Sequence, residues 1–173
     1  MCGIAGIIGT QPVNPQAVEH MNMLQKHRGP DDYGLWSSTD KTIVLGHRRL
    51  SIIDTSSSGH QPMVRGSQVI TFNGEIYNYL EITKKLKALG NKFDSSSDTE
   101  VLLKAYQQWG EHALHELNGM FAFALYDKLG GKIHLCRDRV GEKPMYYGEI
   151  SGDFIFASEL KAFLVHPKFK REV

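Results

Sequence analysis

The 173 residues suffice for one domain with a core large enough to need no disulfide or metal staple. Lys plus Arg (20) against Asp plus Glu (19) leaves a net charge of +1, too small to mark nucleic acid or an anionic membrane as the main partner. Two cysteines, no apolar run near the ~20 residues of a membrane span and no basic signal region at the start fit a reducing, cytoplasmic setting. Along the chain, Ile4–Ile8 reads as a short buried strand with Cys2 just ahead of it. Pro15 opens a helix to about His27, with Val18, Met21 and Leu24 on one face. Strands follow near Tyr33–Ser38, Thr42–His47 and Val69–Phe72, and a helix over Leu80–Leu89 stops at Gly90. Ser97-Asp98-Thr99-Glu100 has the form of a capping box ahead of an amphipathic helix ended by Gly110, which puts Asp98 in its first turn. Met120–Tyr126 alternates, with Phe121, Phe123 and Leu125 on one face and Ala122 and Ala124 on the other. One face suits a helix and the other a second sheet. Ile133–Cys136, Met145–Tyr147 and Phe154–Phe156 read as strands, and Ser158–Val165 as a last short helix. Meander-like strands with helices bundled between them favour an α+β class with antiparallel sheets over βαβ winding.

Cys2 is the sharpest chemical feature. Removal of the initiator Met leaves a cysteine with a free α-amine, so that a thiol of pKa ~8.5 stands beside a base of pKa ~7.7–8.0. A cysteine there is more often an incidental small residue, so its company decides. Asn73-Gly74 places an amide and a glycine N–H directly after an apolar strand, either a plain hairpin turn or two donors for an oxyanion. Arg49 stands where a polar stretch meets an apolar one and offers a fork for a carboxylate, or a surface ion pair. Asp98 offers a partner for an ammonium, or a dipole-complementing residue. Together they suit an α-amino acid with a side-chain acyl group, glutamine above all. Cys136 reads as a small core residue. The eight histidines show no metal-ligand spacing, and Gly141-Glu142-Lys143 lacks the context of a phosphate loop. Lys168, Lys170 and Arg171 read as a solvated tail, and the His27–Asp31 and Asp138–Lys143 segments as structured loops that face the active site or a partner domain.

The motifs CGIAG (Cys2–Gly6), HRGPD (His27–Asp31), RLSIID (Arg49–Asp54), QPM (Gln61–Met63), FNGEIYNY (Phe72–Tyr79), SDTEVLL (Ser97–Leu103), GMFAFALYD (Gly119–Asp127), RDRVGEKPMYY (Arg137–Tyr147) and FASELKAF (Phe156–Phe163) occur in order over one domain. By them the chain resembles the glutaminase domain of class II glutamine amidotransferases, in its asparagine synthetase branch. The resemblance implies the N-terminal nucleophile hydrolase fold, a four-layer αββα sandwich of two antiparallel sheets flanked by helices, over residues 1–173. It implies Cys2 as nucleophile with its amine as base, and an oxyanion hole of the Asn73 side chain and Gly74 N–H. Arg49 would hold the carboxylate of L-glutamine, Asp98 and Glu75 its ammonium, while Leu50, Ser51, Ile52 and Ile53 line the pocket. It implies no metal and no cofactor here, since ATP and Mg²⁺ belong to a synthetase domain whose SGGxDS signature does not occur in this sequence. That leaves either a domain cut from a longer protein or a stand-alone subunit serving a separate synthetase partner, with a homodimer left open. A non-catalytic docking module that keeps the fold is the alternative.

Overall fold

A computed structural model describes residues 1–170; Arg171 of the expected tail lies outside them. The elements are β1 (Gly3–Ile8), α1 (Pro15–Leu24), β2 (Asp32–Ser37), β3 (Ile43–Arg49), β4 (Met63–Arg65), β5 (Gln68–Ile76), α2 (Tyr79–Ala88), α3 (Asp98–Trp109), α4 (Ala113–Glu116), β6 (Gly119–Asp127), β7 (Lys132–Arg137), β8 (Tyr146–Ile150) and β9 (Asp153–Ala157). Two antiparallel sheets result, in the orders β2-β3-β1-β9-β8 and β4-β5-β6-β7.

Three apolar clusters define the layers. Val18 and Met21 of α1 pack on Ala5, Ile7 and Val44 of the first sheet. Ile4, Leu45 and Phe156 meet Val69, Ala122 and Ala124 between the sheets. Ile82 and Leu86 of α2 and Leu102, Leu103 and Tyr106 of α3 cover Phe121, Phe123 and Leu125 of the second. The alternation along β6 thus turns its small face to the other sheet and its large face to the helices, and the four-layer αββα sandwich stands as expected. Polar links also cross between the sheets: Thr71 Oγ1 donates to Gly46 O (3.0 Å) and His47 Nε2 to Phe72 O (3.0 Å). Burial pushes His47 down to about 4, so the imidazole is neutral at pH 7.

Some local expectations need correction. α1 ends at Leu24, not near His27, because the Gln25 N–H turns back to Asn22 and Met23 carbonyls. The segment after Ser158 is a 3₁₀ helix, Leu160–Val165. β4 and α4 carry no sequence signal, being three and four residues long. Ser97 does cap α3, accepting from Thr99 N–H (3.2 Å). Glu100 does not close the box: its buried carboxylate accepts from Asp94 and Ser95 N–H and from Arg65 Nε (3.0 Å).

Candidate active site

Cys2 sits just ahead of the central strand of the first sheet, where its thiol meets the turn leaving β3. Leu50 N–H points at Sγ (3.4 Å), and Sγ faces Leu50 O (3.6 Å). Burial pushes the thiol up, against the Leu50 N–H and the charges of the amino terminus and Arg49. At pH 7 the group is a neutral thiol and needs a nearby base to become a nucleophile. The Cys2 carbonyl accepts from Arg28 Nε (2.9 Å), and Glu159 holds Arg28 (3.2 Å) along with His27 (2.9 Å) and Lys161 (3.0 Å). Partial burial would raise Glu159, but these three donors outweigh it and bring the carboxyl down to about 2.

β5 does not end at Phe72. It runs on through Asn73, Gly74 and Glu75 to Ile76, paired with Gly119–Ala122 of β6. Asn-Gly is therefore mid-strand, not a hairpin turn. Gly74 is required by close approach, since a Cβ there would run into the Met120 carbonyl and the Phe121 backbone. Asn73 lies on the face turned to the first sheet, opposite Ala122. It is 1% exposed, and its Nδ2 has no hydrogen-bond partner among the described residues. A buried orphan donor costs about 1–3 kcal/mol, and here it lies at the wall of a cavity shared with Cys2.

Arg49 ends β3, buried, with Nη1 donating to Ser56 O (2.8 Å) and Nη2 to Asp54 O. Among the described residues no carboxylate lies within 4.0 Å of its guanidinium. Asp98, the first residue of α3, is also buried and, among the described residues, without a cationic partner; its Oδ2 accepts from Ile76 N–H (3.0 Å). Burial, helped by the nearby Glu75 carboxylate, pushes Asp98 up to about 6 despite the hydrogen bonds from Ile76 and Thr99 N–H. Gln61 braces this corner, accepting from Phe72 N–H (2.7 Å) and donating to Thr99 Oγ1 (3.1 Å).

Cys2, Arg49, Leu50, Ile52, Ile53, Asn73, Gly74, Glu75 and Asp98 all border one cavity of about 140 Å³. Of the expected residues, only Ser51 stands outside the wall; its N–H is bound by Asp31 Oδ2 (2.8 Å). Gln61 and Glu159 were not expected to take part, whereas Arg28, Asp31 and Lys143 lie in the two loops read as facing the active site or a partner domain, without roles of their own. Each lies in one of the nine motifs, but sequence offers no physical sign of hydrogen bonds across 11 to 131 residues. Cys136 packs against the outer core, where burial pushes its thiol up to about 11. Chemically, the cavity pairs an uncompensated cation with an uncompensated carboxyl beside a thiol and a free amide donor.

The family described as glutamine amidotransferase domain matches residues 1–173. Asparagine synthetase (glutamine-hydrolyzing) 3 of Bacillus subtilis (strain 168) is 39% identical over 180 residues, covering 100% of this chain and 29% of that protein. Asparagine synthetase (glutamine-hydrolyzing) 1 of the same organism is 41% identical over 172 residues, covering 95% and 27%. The chain thus spans less than a third of the length of these curated relatives. The glutamine phosphoribosylpyrophosphate amidotransferase of B. subtilis superposes with a TM-score of 0.84 over 95% of this chain and 43% of its own, at 23% identity, a likeness of fold. With the match running its full length, the chain belongs to the glutamine amidotransferase domain family.

Proposed function

We propose that this domain hydrolyses L-glutamine to glutamate and ammonia through a γ-glutamyl thioester on Cys2, and supplies the ammonia to an ATP-dependent, amide-forming synthetase domain. The observation that carries the reading is a pair of buried, oppositely charged groups that border the same cavity as the Cys2 thiol, Arg49 with no anionic partner and Asp98 with no cationic one among the described residues. An α-amino acid carries both missing partners, and its side chain then extends to the thiol. The synthetase step draws support from the relatives, which are named asparagine synthetases and are several times longer than this chain. A cytoplasmic setting suits a chemistry that needs a free thiol. Among the described residues no helix is long and apolar enough to cross a membrane.

In this mechanism Met1 is removed first. Cys2 Sγ attacks the side-chain amide carbon as the thiol proton passes to the Cys2 α-amine. The oxyanion takes hydrogen bonds from Asn73 Nδ2 and the Gly74 N–H. The ammonium formed on Cys2 returns its proton to the departing nitrogen, and ammonia leaves. Water, deprotonated by the same amine, attacks the thioester carbonyl, releasing glutamate and the thiol. Arg28, braced by Glu159, holds the Cys2 carbonyl and so aims both thiol and amine.

The pH dependence of binding tests this assignment without turnover. The ammonium of glutamine pairs with ionised Asp98, whose carboxyl titrates at about 6 in the unliganded fold. The protonated, neutral form prevails as pH falls below that value, so affinity is lost on the acid side. On Cys2→Ala protein, the dissociation constant for L-glutamine is expected to be flat between about pH 7 and about pH 8, where its ammonium is still charged, and to rise about tenfold per unit below about pH 6. Asp98→Asn should bind weakly at every pH, with no such slope. Absence of glutamine binding at any pH overturns the reading.

A further inference from the structure

We infer that Asp54 is a positioning residue for the substrate clamp, one that fixes the Arg49 guanidinium and ties it to the segment leading into Asp98. The inference rests on the reading of Arg49 as the holder of the glutamine carboxylate. Asp54 is buried, and its carboxylate already accepts four hydrogen bonds. Oδ1 takes Ser56 N–H (2.9 Å) and Ser56 Oγ (2.6 Å), and Oδ2 takes Ser96 N–H (3.2 Å) and Ser96 Oγ (3.3 Å). An ionised carboxylate has about four lone-pair sites, so none is left for a ligand even though the residue borders the cavity.

What this knot fixes is the backbone. The two acceptors of Arg49 are the carbonyls of Asp54 and Ser56, the residue that makes the knot and the one it binds. Gly59 closes the turn against the guanidinium, where a Cβ would displace Nη2. On the other side, Ser96 directly precedes Ser97, which caps α3, and Asp98, the first residue of that helix. One carboxylate therefore joins the turn that seats the proposed carboxylate fork to the segment that presents the proposed ammonium partner. The distance between the two ends of the clamp, and so its fit to an α-amino acid, depends on this joint.

The test compares L-glutamine with 4-aminobutanamide, which keeps the amide and the amine but lacks the carboxylate, on protein freed of Met1. Asp54→Asn keeps the shape but puts an NH₂ where one oxygen accepted. It is expected to raise KM for glutamine by about 10- to 100-fold with kcat within about threefold, and to leave kcat/KM for 4-aminobutanamide unchanged. Ser96→Ala, which removes one donor to Oδ2, is expected to move the ratio between the two substrates the same way by a smaller factor, and it keeps the test alive if Asp54→Asn fails to fold. Arg49→Ala is the reference. If it weakens both substrates equally, the reading of Arg49 fails and the inference falls with it. If it selectively weakens glutamine while Asp54→Asn and Ser96→Ala leave the ratio untouched, the reading stands and the inference is overturned. An equal loss for both substrates in folded Asp54→Asn also overturns it, because that marks a general structural role.

Discussion

Asn73→Ala is expected to lower kcat for glutamine hydrolysis by about 10²–10³ while leaving thermal stability unchanged or slightly raised. The first half follows from the proposed oxyanion hole, in which loss of one fixed donor carries that penalty. The second half follows from the unliganded structure, where Asn73 Nδ2 is buried and has no partner among the described residues. Removing an unsatisfied polar group relieves a desolvation penalty of about 1–3 kcal/mol, which offsets the packing that the shorter side chain gives up. A structural asparagine would behave the other way, losing stability first and activity only as a consequence. The check is steady-state kinetics beside a melting curve. A kcat loss below about tenfold, or a large fall in Tm, removes Asn73 from the role.

Protein that keeps Met1 is expected to turn over glutamine about 10²–10⁴-fold more slowly than protein that has lost it. Burial pushes the Cys2 thiol up, so the thiolate is scarce at pH 7 and attack depends on a base close to Sγ. Once Met1 is gone that base is the α-amine of Cys2 itself, which titrates near neutrality. With Met1 in place the same nitrogen is a peptide N–H, which accepts no proton, and Met1 itself borders the cavity. General bases contribute factors of this size. The two forms differ in mass by one methionine, so each preparation can be assigned before its rate is measured. Equal rates would mean that the base lies elsewhere.

The parts of this fold legible in the sequence were those governed by local pattern. The alternation along β6 forecast two buried faces, one for helices and one for a second sheet, because pleating puts alternate residues on opposite faces; which face met which came from the structure. Gly90 and Gly110, both at positive φ, marked the ends of α2 and α3. Asn73-Gly74 misled the strand assignment, since the pair is the commonest hairpin signal and only pairing with β6 keeps it extended. Glu100 satisfied half a capping box by spacing, yet Arg65, 35 residues away, drew its carboxylate elsewhere. At the site, nine of the residues that border the cavity were named from residue chemistry and family motifs. The loop holding Arg28 and Asp31 was read as facing the site, but the bonds of Arg28 to Glu159 and of Ser51 to Asp31 were not, nor was Gln61 at the cavity wall between β5 and α3. These are long-range hydrogen bonds with no periodic signature.

The decisive experiment for Cys2 as nucleophile is release of glutamate from L-glutamine by protein shown by intact mass to lack Met1, set beside the Cys2→Ala variant of the same chain. Steady production of glutamate and ammonia in equal amounts is expected from the first and none above background from the second, both with the same melting behaviour. Turnover that survives in Cys2→Ala would contradict the thioester route. No turnover from folded, correctly processed protein would contradict an active site complete within this domain, and would favour the docking-module alternative.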